Sequence, residues 1–252
     1  MKRVMLTVAY DGTSYSGFQV QENARTIEGE LNRCLSELLL ENIKVIGASR
    51  TDAGVHALCN VAVFDTNARM PGEKISYALN GRLPQDIRIR KAQEVEADFH
   101  PRRCDSRKTY EYRIINAEFP LPTKRLYTHF TYIPLDVSKM QAAADCLVGE
   151  HDYKSFCSIA NQAETTVRTI YSLQVEQEKE EIVIRVTGNG FLYNMVRIIA
   201  GTLMEAGKGR WEPEHMKDIL ETKDRIAAGP TAPACGLMLT NYEFCGVKSC
   251  MI

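Results

Sequence analysis

One carboxylate, Asp52, follows a guanidinium, Arg50, by two residues in the stretch Gly47-Ala-Ser-Arg-Thr-Asp-Ala-Gly-Val-His-Ala57. An apolar run, Ile43-Lys-Val-Ile46, leads in and an alternating run, Val61-Ala-Val-Phe64, leads out, which predicts a polar loop held between two strands. Loops on a strand scaffold are where binding and catalytic groups concentrate. Gly47 and Gly54 give the backbone freedom to turn on both sides, so one acid is presented on a bend. Such an acid can attack a carbon centre or stabilise positive charge beside it. The same Asp and Gly between two strands also describe an ordinary hairpin turn, and His56 reads as a structural turn residue.

Two other stretches carry chemistry-bearing side chains. In Lys108-Thr-Tyr-Glu-Tyr112 the two tyrosines share one face of a predicted strand over 109–115. A tyrosine ring can stack on a base and its hydroxyl can move a proton, although alternating tyrosines also serve plain sheet packing. Gly188-Asn-Gly-Phe-Leu-Tyr-Asn-Met-Val-Arg197 opens a predicted helix from Phe191 to Met204. On its wheel Arg197 groups with Tyr193, Asn194 and Gly201, opposite Phe191, Met195, Ile198, Ile199 and Leu203, so periodicity alone puts Arg197 on the surface.

The undecapeptide closely resembles the signature of the tRNA pseudouridine synthase A family, in which an Arg-Thr-Asp-x-Gly-Val-His segment carries the catalytic aspartate. Lys108–Tyr112 matches that family's K/R-x-Y-x-Y strand, and Gly188–Arg197 its G-N-x-F-x-x-x-M-V-R segment. The resemblance runs from Tyr10-Asp-Gly to Pro233-Ala-Cys-Gly-Leu237; Asn60 stands where the family often has glutamine, and Pro101 where alanine is common after Phe-His. It implies isomerisation of uridine to pseudouridine at positions 38, 39 and 40 of the tRNA anticodon stem-loop. The bond from C1′ to N1 is broken and one from C1′ to C5 is made, with no cofactor and no metal. Asp52 would be the nucleophile, and attack at C1′ or on the base both remain open. Desolvation in a closed site raises a carboxyl pKa, and Arg197 would be the cation that keeps the acid ionised. Tyr110 would stack on the uracil and handle the C5 proton, Arg50 would support the flipped nucleotide, and Leu237 would line the site. Choosing Tyr110 over Tyr112 follows from this alignment. The partners implied are tRNA and a second copy in a homodimer.

The elements that must position these residues read as α+β. A strand over 2–9, a helix capped by Thr26 with Ile27, Leu31, Cys34, Leu35 and Leu38 on one face, a helix over 74–79 and a strand over 87–90 fill the first half. The second half carries a helix from Asp136 to Leu147 with Gly149 as its C-terminal cap, strands over 167–175 and 181–187, a helix over 214–220 and a strand over 236–244. The halves divide at 1–104 and 105–252. The resemblance implies the pseudouridine synthase fold: two similar halves side by side, sheets antiparallel or mixed, helices on one face and a catalytic cleft between them.

A chain of 252 residues that is 44% apolar has enough material for one large domain or two smaller ones. No apolar run approaches the length of a membrane span or signal peptide, which predicts a cytoplasmic protein without membrane contact. The eight cysteines include no C-x-x-C pair, which argues against zinc; most should be small buried hydrophobes, with Cys245 and Cys250 open to exposure. Net charge is −1, yet seven basic residues (Arg102, Arg103, Arg107, Lys108, Arg113, Lys124, Arg125) face three acids between Phe99 and Arg125. Two rival classes are a noncatalytic RNA-binding module with stacking tyrosines and a nucleoside or glycoside hydrolase using Asp52. The first lacks an RNP-type aromatic pattern, and the second lacks a second carboxylate near Asp52 in sequence.

Overall fold

The structure, a computed structural model, describes residues 1–159 and 163–245. Cys250 lies outside the described residues. The chain forms two compact units, one of residues 1–106 together with 239 onward, the other of residues 107–238.

In the first unit β1 (Lys2–Tyr10) is followed by α1 (Ile27–Leu39), β2 (Ile46–Gly47), β3 (His56–Thr66), α2 (Gly72–Asn80) and β4 (Ile87–Val95). Strand β1 lies between β3 and β4, antiparallel to both, with Val4 opposite Phe64 and Val8 opposite Asn60. Residues Val4 to Val8 are buried on both faces. Thr26 caps α1, its side chain accepting from the Gly29 N–H, and the apolar stripe Ile27, Leu31, Cys34, Leu35 is buried. The apolar run before the loop forms less strand than expected: only Ile46 and Gly47 pair with β3. Ile43 and Val45 are buried, but their N–H groups are satisfied by Ser36 Oγ (3.0 Å) and Asn32 Oδ1 (2.7 Å) of α1, so helix side chains replace the ladder.

The second unit carries β5 (Ser106–Asn116), β6 (His129–Thr131), α3 (Val137–Asp145), β7 (Gly149–Asp152), β8 (Val167–Glu178), β9 (Glu181–Gly188), α4 (Met195–Gly207) and α5 (His215–Thr222). Its sheet runs β5-β9-β8-β7 with antiparallel neighbours, and β6 adds to β5 in parallel. Two helix boundaries differ from the sequence expectation. Helix α3 ends at Asp145, and Gly149, expected as its cap, opens β7 at φ +116°. Helix α4 begins at Met195 rather than Phe191, because Asn194 takes the left-handed conformation (φ 61°, ψ 6°), which asparagine tolerates and which interrupts a helix. The final strand, β10 (Leu237–Phe244), neighbours β3. From Leu239 onward it therefore counts with the first unit, whereas the division at residue 104 leaves it with the second half.

The α+β class expected from sequence is the class observed, with mostly antiparallel sheet and five helices among the described residues. No helix among them is long and apolar enough to cross a membrane.

Candidate active site

The polar stretch between β2 and β3 is a braced loop. Asp52 heads a four-residue turn in which its carbonyl accepts from the Val55 N–H at 3.2 Å. The third residue of that turn, Gly54, stands at φ +77°, a value that calls for glycine. The Gly54 N–H donates to the Tyr15 carbonyl (3.2 Å) and the Phe18 N–H to the Thr51 carbonyl (3.0 Å), so the segment after β1 holds the tip from one side. Gly47, expected as a turn glycine, instead makes room: a Cβ there would come within 2.1 Å of the Phe18 ring.

Behind the loop lies a buried polar chain. Asn60 Oδ1 accepts from the N–H groups of Ser49 (3.2 Å) and Val61 (2.8 Å), which fixes its amide orientation. Its Nδ2 then donates to the Ser49 carbonyl (2.9 Å) and to Tyr10 Oη (3.1 Å). Tyr10 Oη also shares a hydrogen bond of 2.7 Å with Thr51 Oγ1. Burial, only partly countered by these bonds, pushes the Tyr10 hydroxyl well above its ordinary pKa and keeps it protonated. The break in register between Val8 and Tyr10 on β1 sets that ring opposite Ala57. His56 is buried, its Nδ1 3.1 Å from the Gly12 N–H and 3.2 Å from Asp11 Oδ1, tying the turn after β1 to the start of β3.

This scaffold presents Asp52 half-buried and Arg50 exposed, while Thr51 between them is buried and bonded. A second cation flanks the loop. Arg102 Nε donates to the Gly47 carbonyl at 2.7 Å; burial first, and then the charge of Arg50, lower the pKa of the Arg102 guanidinium. Sequence reading misses Tyr10, Asn60 and Arg102 as parts of this assembly. Asn60 is visible there as a departure from the family pattern, but its partners come from three separate segments.

In the second unit Tyr110 and Tyr112 share one buried face of β5. The Tyr110 ring meets Phe191 edge to face, centroids 5.3 Å apart at 86°. Tyr112 is fully buried and its hydroxyl donates to the Pro233 carbonyl at 2.9 Å. Arg197 is the one residue of α4 that is not buried, and it is half-buried rather than on the surface expected from periodicity. Segment 228–232 covers the polar side of the helix: a Cβ at Gly201 would lie 1.8 Å from the Pro230 oxygen, and Arg197 Nε donates to the Ala232 carbonyl at 2.7 Å. Arg197 Nη1 also bonds Asn194 Oδ1 at 2.8 Å, so the residue that interrupts the helix also orients the guanidinium. Burial raises the Tyr112 hydroxyl pKa and the nearby Arg197 charge opposes that rise. Leu237 is buried just after the short helical turn Ala234–Gly236. The second unit thus gathers Arg197, Tyr112 and the 232–237 segment, with Tyr110 held through Phe191; Asp52 and Arg50 belong to the first unit.

Comparison with known proteins shows the class to be that of a pseudouridine synthase. The family model described as tRNA pseudouridine synthase matches residues 6–102 and 143–244. A protein of Thermoanaerobacter sp. (strain X514) named tRNA pseudouridine synthase A is 46% identical over 239 residues, covering 95% of this chain and 98% of its own. The protein of that name from Brevibacillus brevis is 47% identical over 239 residues (95% and 98%), and that from Limosilactobacillus reuteri 46% over 250 residues (97% and 97%). The chain belongs to the tRNA pseudouridine synthase A family and is an isomerase that makes pseudouridine in tRNA.

Proposed function

We propose that this isomerase acts on uridines 38, 39 and 40 of the anticodon stem-loop, with Asp52 as its nucleophile. The observation that carries this reading is a half-exposed carboxylate at the head of a turn whose backbone and neighbours are fixed by buried hydrogen bonds. Preorganisation of this kind holds a reacting group near its attack geometry.

A stacked uridine cannot offer C1′ or C5 to a carboxylate, so it is extruded at a cost of a few kcal/mol. Exposed Arg50, one residue removed from Asp52, supports the displaced nucleotide by stacking and by binding phosphate. Asp52 attacks, the C1′–N1 bond breaks, the freed uracil turns, and C5 bonds to C1′ as the bond to Asp52 breaks and its carboxylate is released. The C5 proton then leaves and N1 gains one, so nothing is added or removed. Tyr110 stacks on the uracil and carries the C5 proton, Arg197 is the cation that keeps a carboxylate ionised, and Leu237 lines the site. The enzyme works without metal or cofactor, as a cytoplasmic homodimer.

Asp52→Ala is expected to abolish pseudouridine formation in unmodified tRNA transcripts while circular dichroism and tRNA affinity stay near wild type. Modification surviving in that variant removes the proposed nucleophile. Mapping pseudouridine in tRNA from cells lacking the gene locates the target positions, and release of free uracil would mark a hydrolase.

A further inference from the structure

Arg168 opens β8 and Arg225 opens the short helical turn Arg225–Ala227. Both are half-buried, and neither pairs with a carboxylate among the described residues. Arg168 spends only Nη1, on the carbonyls of Thr165 (2.9 Å) and Val167 (2.6 Å). Arg225 donates one bond from Nη1 to the Ala228 carbonyl (3.2 Å) and one from Nη2 to Thr231 Oγ1 (3.1 Å). A guanidinium has five N–H donors, so each keeps three for a ligand, and Arg168 keeps its whole Nε and Nη2 edge, the fork that grips phosphate in bidentate fashion.

The two arginines lie on elements that pack against the same stretch, residues 149–157. The turn Lys154–Phe156 packs against Arg225–Ala227, and β7 sets His151 opposite Arg168. Both charges act on the buried Cys157 thiol, whose pKa is nonetheless pushed up by burial, so the thiol does not neutralise them. Of the acids in this region, Asp152 is engaged by Thr166 and by Lys223 at 2.9 Å, and Asp224 accepts from the Ile226 N–H at 3.0 Å. Gly190, within the Gly188–Arg197 segment, lies beside Arg168 Nε, and having no side chain it leaves that edge uncovered. Two guanidiniums withdrawn from water without an anion carry a desolvation cost that a phosphate would relieve, and burial lowers the pKa of both.

We infer that Arg168 and Arg225 form a phosphate-binding station for the RNA backbone, within the unit that carries Tyr110 and Arg197. The inference rests on the reading of the chain as an enzyme acting on tRNA. These are positioning residues that hold the RNA strand without touching the reacting atoms.

The test is the salt dependence of full-length enzyme binding to an unmodified tRNA transcript. Removing one phosphate-neutralising charge should reduce the slope of log affinity against log salt by about 1. Arg168→Gln and Arg225→Gln keep an amide donor for the backbone carbonyls and remove the charge; each is expected to lower the slope by that amount and to raise KM, with turnover at saturating tRNA unchanged. Arg168→Lys should retain the slope, because it retains the charge. Arg33→Ala, which removes a charge already taken up by Glu30 and Glu37, should change nothing. A wild-type slope in folded Gln variants overturns the station; if a Gln variant fails to fold, an Arg168→Lys variant with a reduced slope does so instead. If the wild-type enzyme makes no pseudouridine while the Gln variants still show the shallower slope, the functional reading fails and the RNA-binding role stands.

Discussion

Two tyrosines on one face of β5 have different surroundings. Tyr112 is fully buried with its hydroxyl committed to the Pro233 carbonyl, so Tyr112→Phe should cost about 1 kcal/mol of stability in denaturant unfolding and leave turnover near wild type. Tyr110→Phe should slow single-turnover pseudouridine formation by about 10²- to 10⁴-fold, the usual worth of a positioned proton-transfer group, with stability little changed. Alternation in the sequence makes the shared face legible, but it cannot say which ring is walled in, because the wall is Pro233 and Gly236, more than a hundred residues away. The family motif separates the two where periodicity does not. Arg197 is a second such case. The wheel puts it on a polar face, and the structure half-buries that face under 228–232, which a single helix's periodicity cannot reveal.

At the level of elements, the braced loop and the second sheet show how polar groups hold strands in place. Asn60 joins β3 to the loop that carries Asp52 and, through Tyr10, to β1; Asn60→Leu strands the N–H groups of Ser49 and Val61 and should cost about 1–3 kcal/mol for each buried group left unpaired. Turnover should fall together with stability, since the same bonds fix the turn that carries Asp52. On the second sheet Glu181 is nearly buried between Lys124 and Arg113, and Glu111 bridges Arg113 and Arg185. Burial drives the Glu181 carboxyl up, but its two cations outweigh burial and hold it below the usual glutamate range. A depressed folded-state pKa gives stability that is present above the unfolded value of about 4.3 and is lost as pH falls through the folded one. Acid unfolding should therefore steepen below about pH 4.3, and Glu181→Gln should flatten that limb in a pH series of denaturation midpoints. These pairs also absorb Arg113 and Lys124, two of the seven basic residues between Phe99 and Arg125, so a run that reads as one basic face is partly internal neutralisation. Strands and helices with clear periodicity are legible to within a few residues, except β4, which runs on to Val95; the start of α4 is not, because the left-handed Asn194 sets the local geometry there.

For the molecule as a whole, the chain leaves the first unit near residue 106 and returns at Leu239, so residues 107–238 are an insertion in that unit. A fragment of residues 1–106 lacks β10, leaves one edge of β3 without its neighbour, and should fail to unfold cooperatively, which calorimetry on that fragment checks. Sequence reading divides the chain at residue 104, close to the outgoing crossing. It does not see the return, because a strand's partner is not written in the strand's own letters. On the ribosome the same topology imposes an order. The loop bearing Asp52 emerges early, yet β10 begins about 140 residues after β4 ends, a wait on the order of ten seconds at ribosomal elongation rates. The nascent polypeptide therefore carries the loop of Asp52 on an unfinished scaffold until β10 has been made, and only a chain that has passed that point can act on the tRNAs that surround the machinery making it.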